Sequence, residues 1–278
     1  MIARVFPRQT RATPDDPLAF TSEPDMFAQT LGITEVHVSV TFTWDMPRAE
    51  QLADAWSAIA PVLIGGPATG MRGEDFTAGM YLKKGYVITS RGCPNHCWFC
   101  SVPKREGDIR ELPIMQGWNV LDDNLLACSD YHIGAVFKML SNQKHSIEFT
   151  GGLEAARLND WHVKLLASVK PKQMFFAYDT PDDYEPLRLA VSKLFDAGFT
   201  AASHAIRAYV LIGYPRDTFE AAEHRLKQCL NLGVMPMAML WRNESGERDL
   251  QWMRFQKQWA RPVLIVNNNR LAKVRVEK

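Results

Sequence analysis

The sequence predicts an α/β protein in which a partial barrel of six strand and helix units follows a small α/β lobe. Three observations predict it. From about residue 80 to 245, short apolar or alternating runs recur between amphipathic helical stretches, a rhythm that gives parallel strands joined by right-handed crossovers. Six such units are fewer than the roughly eight of a closed barrel. A separate strand, helix and strand come earlier, and 278 residues with 46% hydrophobic content suffice for one large domain and a small one. The expected divisions are a lobe at 1–79, a barrel at 80–245 and an extension at 246–278.

In the lobe, strands are expected at 2–6 and over the alternating run 36–42. A helix at 47–60 carries Leu52, Ala55, Trp56 and Ile59 on one face, and the apolar run 61–64 ends in Gly65-Gly66-Pro67. Barrel strands are expected at 85–90, 118–125, 146–150, 173–179, 208–214 and 235–241. Ile133, Val136, Phe137 and Leu140 form one helical stripe after a Ser129 cap, and Leu187, Val191, Leu194 and Phe195 form another. Thr180-Pro181 reads as a helix start and Gly198 as its stop. Asp217 with Glu220 reads as a capping box before Phe219, Ala222, Leu226 and Leu230. A last helix at 249–259 sets Trp252, Phe255 and Trp259 on one side, and a strand-like run follows at 263–266.

Charge and composition narrow the functional classes. The 32 basic and 31 acidic residues nearly cancel, so no global field announces a nucleic-acid or membrane-surface binder. No run approaches about 20 apolar residues, and the first residues lack the apolar core of a signal peptide; the expected location is the cytoplasm, with no membrane. Five cysteines, three of them within eight positions, fit a reducing compartment and a metal site rather than a disulfide framework.

That metal site is the segment Cys93-Pro94-Asn95-His96-Cys97-Trp98-Phe99-Cys100. Its spacing puts three thiolates on one tight loop at a strand end, the number needed for three irons of a [4Fe-4S] cube, and leaves the fourth iron without a protein ligand. The rival is a structural zinc site, which wants about four ligands; the fourth would be His96 or the remote Cys128 or Cys229. Cys229 lies on the apolar side of a helix. Cys128 follows the second barrel strand, where burial as a small apolar residue competes with a place on the functional rim.

Cys93 to Cys100 matches the signature of the radical S-adenosylmethionine (SAM) superfamily. Ser101-Val102-Pro103-Lys104-Arg105-Glu106-Gly107, and the segment from Tyr209 to Phe219, are similar to motifs of its methylthiotransferase and cobalamin-associated branches. The resemblance covers about residues 80–242 and implies a partial (β/α)6 radical SAM barrel behind a shortened Rossmann-like lobe. The accessory motifs are lacking: the lobe has no cysteines for a second cluster, and the Asp-x-His-x2-Gly corrin motif is missing. Implied cofactors are a [4Fe-4S] cluster held by Cys93, Cys97 and Cys100, and SAM bound at the open iron, cleaved reductively so that a hydrogen is taken from substrate.

Functional residues of parallel barrels gather at the carboxyl ends of the strands. Asp122-Asp123-Asn124 resembles the polar group that meets the SAM amino group, with Asp123 and Asn124 as the cofactor-binding candidates and a turn or helix entry as the rival reading. Gly151, Gly152 and Glu154 resemble the Gly-Gly-Glu motif, with Leu153 inserted. Asp179 is a candidate for ribose hydroxyls or substrate, or a helix cap. Gly213 and Tyr214 fall near the adenine side by resemblance, as does Phe99. Arg207, at a strand start, faces the opposite rim. The expected substrate is a nucleobase or nucleotide, with Lys104, Arg105 and Arg110 as phosphate partners; a small metabolite or peptide is the alternative, and a non-catalytic metal-binding module a third. A flavodoxin- or ferredoxin-type reductant is the expected electron donor.

Overall fold

A computed structural model describes residues 1–70, 79–243, 245–260 and Ile265. The N-terminal lobe comprises β1 (Ile2–Val5), β2 (Ala19–Phe20), β3 (Glu35–Ser39), α1 (Met46–Trp56) and β4 (Val62–Gly65). All four strands are parallel, in the order β2-β1-β3-β4. Val36, Val38 and Val40 share a buried core with Ala3, Val5 and the Ala49, Leu52 and Trp56 face of α1. Trp56 satisfies its indole by donating to the Ser22 carbonyl at 3.0 Å. Because β2 and β4 lie on opposite sides of β1 and β3, strand order reverses between the two central strands, which opens a crevice at their carboxyl ends.

The remainder builds a second core. In chain order it contains β5 (Tyr86–Val87), β6 (Ser90–Arg91), α2 (Val102–Arg105), β7 (Arg110–Glu111), β8 (Asn119–Val120), α3 (Asp130–Ser141), β9 (Glu148–Leu153) and α4 (Asp160–Val169). It continues with β10 (Gln173–Ala177), α5 (Tyr184–Asp196), β11 (Ile206–Ile212), α6 (Phe219–Asn231), β12 (Met235–Leu240) and α7 (Leu250–Gln258). The six-stranded sheet runs β12-β11-β10-β9-β8-β5 and is parallel throughout. Chain order equals spatial order, so right-handed crossovers carry the connecting helices to one face. In β11 the residues Ile206, Ala208, Val210 and Ile212 are fully buried in the helix-packed core, while Arg207, Tyr209 and Leu211 point the other way and are half-buried.

The six strands expected in the main sheet all form, but the first two are cut to two residues each. The ladder stops there for a local reason: the backbone N–H of Thr89 bonds to the Asp122 carboxylate at 2.6 Å instead of to a strand carbonyl. The helix starts at Ser129 and Thr180 are as expected, and Gly198 sits at φ +95 just past α5. The capping box at Asp217 is not formed. Thr218 is the cap of α6, accepting from the Ala221 N–H at 3.1 Å. Asp217 turns inward, where Arg225 meets it at 3.0 Å with both side chains nearly inaccessible, because a buried guanidinium needs a counter-charge more than a helix end needs a second cap. The helix α4 and strand β2 have no counterpart in the sequence reading.

At the other edge, α7 covers β12: Gln256 donates to the Ala238 carbonyl and the Ala238 N–H donates to Trp259, each at 3.1 Å. An otherwise bare strand edge is thereby closed. Trp252 and Phe255 pack on Phe219. The strand-like run at 263–266 lies outside the described residues except for Ile265, which is buried. No helix among the described residues is long and apolar enough to cross a membrane.

Candidate cluster and cofactor site

The cysteine loop leaves the sheet after β5. Strands β6 and β7 pair antiparallel, Ser90 with Glu111 and Arg91 with Arg110, so residues 92–109 form an excursion pinched at its base. Gly92 makes the pinch possible. It sits at φ +89, and a Cβ there would lie 2.1 Å from the Asp108 carbonyl oxygen, which no side-chain-bearing residue tolerates. Next to it, the Cys93 N–H bonds to the Gly107 carbonyl at 3.1 Å, and the Cys100 N–H to Cys97 at 3.1 Å. The Val102 N–H points at the Cys100 sulfur from 3.4 Å.

Three consecutive residues after β8 fasten this loop to the sheet. Asp122 is buried and accepts from the Thr89 N–H, the Thr89 hydroxyl and the Ser90 hydroxyl; burial raises its pKa against the pull of those donors. Asp123 accepts from Arg91 at 3.1 Å and from the Gly92 N–H at 3.0 Å, so its carboxylate is spent on positioning the loop. Asn124 directs its amide nitrogen at both the Cys93 sulfur, 3.4 Å away, and the Glu154 carboxylate, 2.7 Å away. Glu154 also takes a hydrogen bond from Arg157 at 2.6 Å. Burial raises its pKa, and the bonds from Asn124, Asn95 and Arg157 outweigh that effect, leaving it below the usual range. Asn95, Arg91 and Arg157 are neighbours of this group to which sequence reasoning gave no role, although Asn95 and Arg91 stand inside or beside the segment it singled out.

Gly151 and Gly152 are required by the neighbouring strand. A Cβ on Gly151 would lie 2.2 Å from the Asp122 carbonyl oxygen, and one on Gly152 would lie 2.6 Å from that of Asp123. Asp179 follows β10 and is half-buried; loss of hydration and the nearby Asp183 push its carboxyl up to about 7, against the Leu211 N–H that it accepts. Thr180 forms the expected cap with Asp183, whose carboxylate also takes the Asp179 N–H at 2.9 Å. Gly213 ends β11 at φ +71, donating its N–H to Asp217 at 2.8 Å with the Trp252 ring against it. Phe99, Trp98 and Tyr214 form an edge-to-face series with centroid spacings of 5.3 and 5.6 Å. Trp98 is 58% exposed at the mouth of the loop.

The thiols of Cys97 and Cys100 have raised pKa values, first from burial and then from mutual repulsion with each other and with Cys93. The three are thus electrostatic neighbours, yet among the described residues no three Cys, His, Asp or Glu side chains converge on one metal-ion position. Cys128 and Cys229 are buried elsewhere, their thiols pushed up to about 11 and about 12 by burial. Arg105 and Arg110 both bond to Glu106, at 3.0 and 3.1 Å.

A pocket of about 570 Å³ opens at the carboxyl ends of the lobe's sheet and reaches Ile88, Arg91 and Leu121 beside the cysteine loop. The sequence reading did not anticipate it, since its walls come from both cores. Its one histidine among the described lining residues, His37, bonds through Nδ1 to the Tyr81 hydroxyl and has Nε2 3.1 Å from a Glu35 carboxylate oxygen.

The fold is similar to that of solved radical SAM enzymes. Two such structures are of the radical SAM methyltransferase TsrM from Kitasatospora setae. The form with cobalamin and a [4Fe-4S] cluster bound aligns with 88% of this chain and 76% of its own, with a TM-score of 0.61 and 11% identity. The form with tryptophan substrate and the SAM analogue aza-SAM aligns over 87% and 72%, with a TM-score of 0.55 and 11% identity. No family model matches the chain, and no curated protein matches it in sequence.

Proposed function

We propose that the protein is a radical SAM enzyme whose Cys93, Cys97 and Cys100 hold a [4Fe-4S] cluster within a partial (β/α)6 barrel. The carrying observation is the loop itself: Cys93, Cys97 and Cys100 lie on one excursion, pinched at its base by the β6–β7 pair, beside the carboxyl edge of a parallel sheet. Such a donor set fits a polynuclear group better than one zinc ion. N–H donors already aimed at two of the sulfurs, from Val102 and Asn124, suit thiolates that carry charge. Bound there, a cluster supplies the electron that splits the SAM carbon–sulfur bond. The chain's own residues then do the positioning: Asp122 and Asp123 hold the loop, Glu154 offers a carboxylate, and Phe99, Trp98 and Tyr214 offer ring faces.

Anaerobic reconstitution with iron and sulfide tests this reading. The expected result is a reducible [4Fe-4S] signal and SAM-dependent release of 5'-deoxyadenosine, both lost in Cys93→Ser, Cys97→Ser and Cys100→Ser. A zinc-loaded protein that never cleaves SAM under reduction overturns it.

For the substrate we favour a small metabolite or peptide over a nucleobase in RNA or DNA, because Arg105 and Arg110 share the Glu106 carboxylate, which engages both guanidiniums and leaves a single net positive charge between them. Salt-sensitive nucleic-acid binding would reverse that preference. The electron donor is read as a flavodoxin- or ferredoxin-type protein, and the setting as the cytoplasm. A second reading, methyl transfer with cobalamin as in the structural neighbour, is favoured by the 570 Å³ pocket. A corrin there would meet His37, whose Nδ1 is taken by the Tyr81 hydroxyl and whose Nε2, 3.1 Å from a Glu35 carboxylate oxygen, makes no hydrogen bond. Hydroxocobalamin titration followed by its visible spectrum distinguishes the two.

A further inference from the structure

The residue Asn124 occupies the cap position of the short helical turn Leu125–Ala127 but makes no side-chain cap bond. Asparagine in that position ordinarily accepts a backbone N–H through its Oδ1. Here Oδ1 is buried with no hydrogen-bond partner, a loss of about 1–3 kcal/mol for an amide oxygen. Only the other end of the amide is used, between the Cys93 sulfur at 3.4 Å and Glu154 Oε2 at 2.7 Å. A local rule broken at a stability cost marks a functional position.

Glu154 explains the orientation. An ionised carboxylate can only accept, so it draws the NH₂ end of the amide toward itself and sets the second amide proton against Cys93. Rotating the amide by half a turn would place Oδ1 against the carboxylate and the thiolate together. Arg157 and Asn95 hold Glu154 ionised and in place.

We propose that Asn124 is a positioning residue that raises the reduction potential of the cluster at Cys93, and that Glu154 controls this effect by fixing the amide flip. The inference rests on the cluster reading given above. Hydrogen bonds to cluster sulfurs are among the factors that set the potential, and they favour the reduced form because it carries more negative charge. Losing a hydrogen bond to a charged acceptor changes an equilibrium by about tenfold.

Redox titration of the reconstituted protein, followed by the electron paramagnetic resonance signal of the reduced cluster, tests it. In Asn124→Leu, which keeps the volume and removes the donor, the reduced-to-oxidised ratio at fixed poise should fall about tenfold, or about 59 mV for a one-electron couple. Glu154→Gln has two opposed effects: it removes a negative charge beside the cluster, which raises the potential in either background, and it frees the amide flip, which lowers the potential only while Asn124 is present. Its shift should therefore be more positive in the Asn124→Leu background than in the wild-type protein. A wild-type potential in Asn124→Leu, or additive shifts in the double variant, overturn the inference; if Asn124→Leu does not fold, an unshifted Asn124→Ala does so. Failure of the wild-type protein to assemble any [4Fe-4S] signal instead defeats the underlying cluster reading.

Discussion

Replacing Asp179 by asparagine should flatten the pH dependence of stability. Its carboxyl is held at about 7 in the folded protein against an ordinary 3.8, by burial first and by Asp183 second. The native state therefore keeps a proton that the unfolded chain has released, and stability from this group is fully present below about pH 4 and lost as pH rises to about 7. At about 1.4 kcal/mol per pH unit, the loss between pH 5 and pH 7 is at most about 3 kcal/mol. Asparagine cannot ionise, and its Oδ1 can still accept the Leu211 N–H. Urea unfolding of the cluster-free, reduced protein should show the stability difference, Asp179→Asn minus wild type, growing by up to about 3 kcal/mol over that interval. Parallel pH profiles for the two proteins would refute the assignment of a half-buried, protonated Asp179.

Three other perturbations have calculable directions. Gly151→Ala brings a methyl within 2.2 Å of the Asp122 carbonyl oxygen, so it should cost several kcal/mol, beyond the roughly 1 kcal/mol of a typical substitution, and lower the urea midpoint even without cofactors. Arg225→Ala strips the counter-charge from Asp217, where both side chains are at most 4% exposed; about 3–5 kcal/mol should be lost, and most of it recovered by adding Asp217→Asn. Thr218→Ala removes the α6 cap and should cost about 1 kcal/mol, whereas Glu220→Ala, in the position the local pattern favoured for a capping box, should change thermal stability by no more than about 0.5 kcal/mol.

Much of the scaffold could be read from periodicity. Apolar spacing located all six strands of the main sheet and the buried faces of α3, α5 and α6, since burial of a stripe imposes its repeat on the chain. Short elements escaped. Strand β2 is two residues long and leaves no period to detect, and β8 ends early because the Asp122 side chain replaces a backbone acceptor. The local pattern also misassigned Asp217, whose partner Arg225 is far enough along α6 to be invisible to a capping rule.

The cysteine spacing pointed to the kind of chemistry proposed above, because three thiols on a loop of eight residues remain neighbours in any fold that loop adopts. The roles of the surrounding polar residues required the assembled sheet. Asp123, Asn124 and Glu154 look alike as polar residues near strand ends, yet one braces the loop through Arg91, one turns its amide to Cys93 and one orients that amide. Those assignments depend on which side chains parallel pairing of β8 with β9 brings within 3 to 4 Å across about thirty residues of chain, and hydrogen bonds are decided at that range.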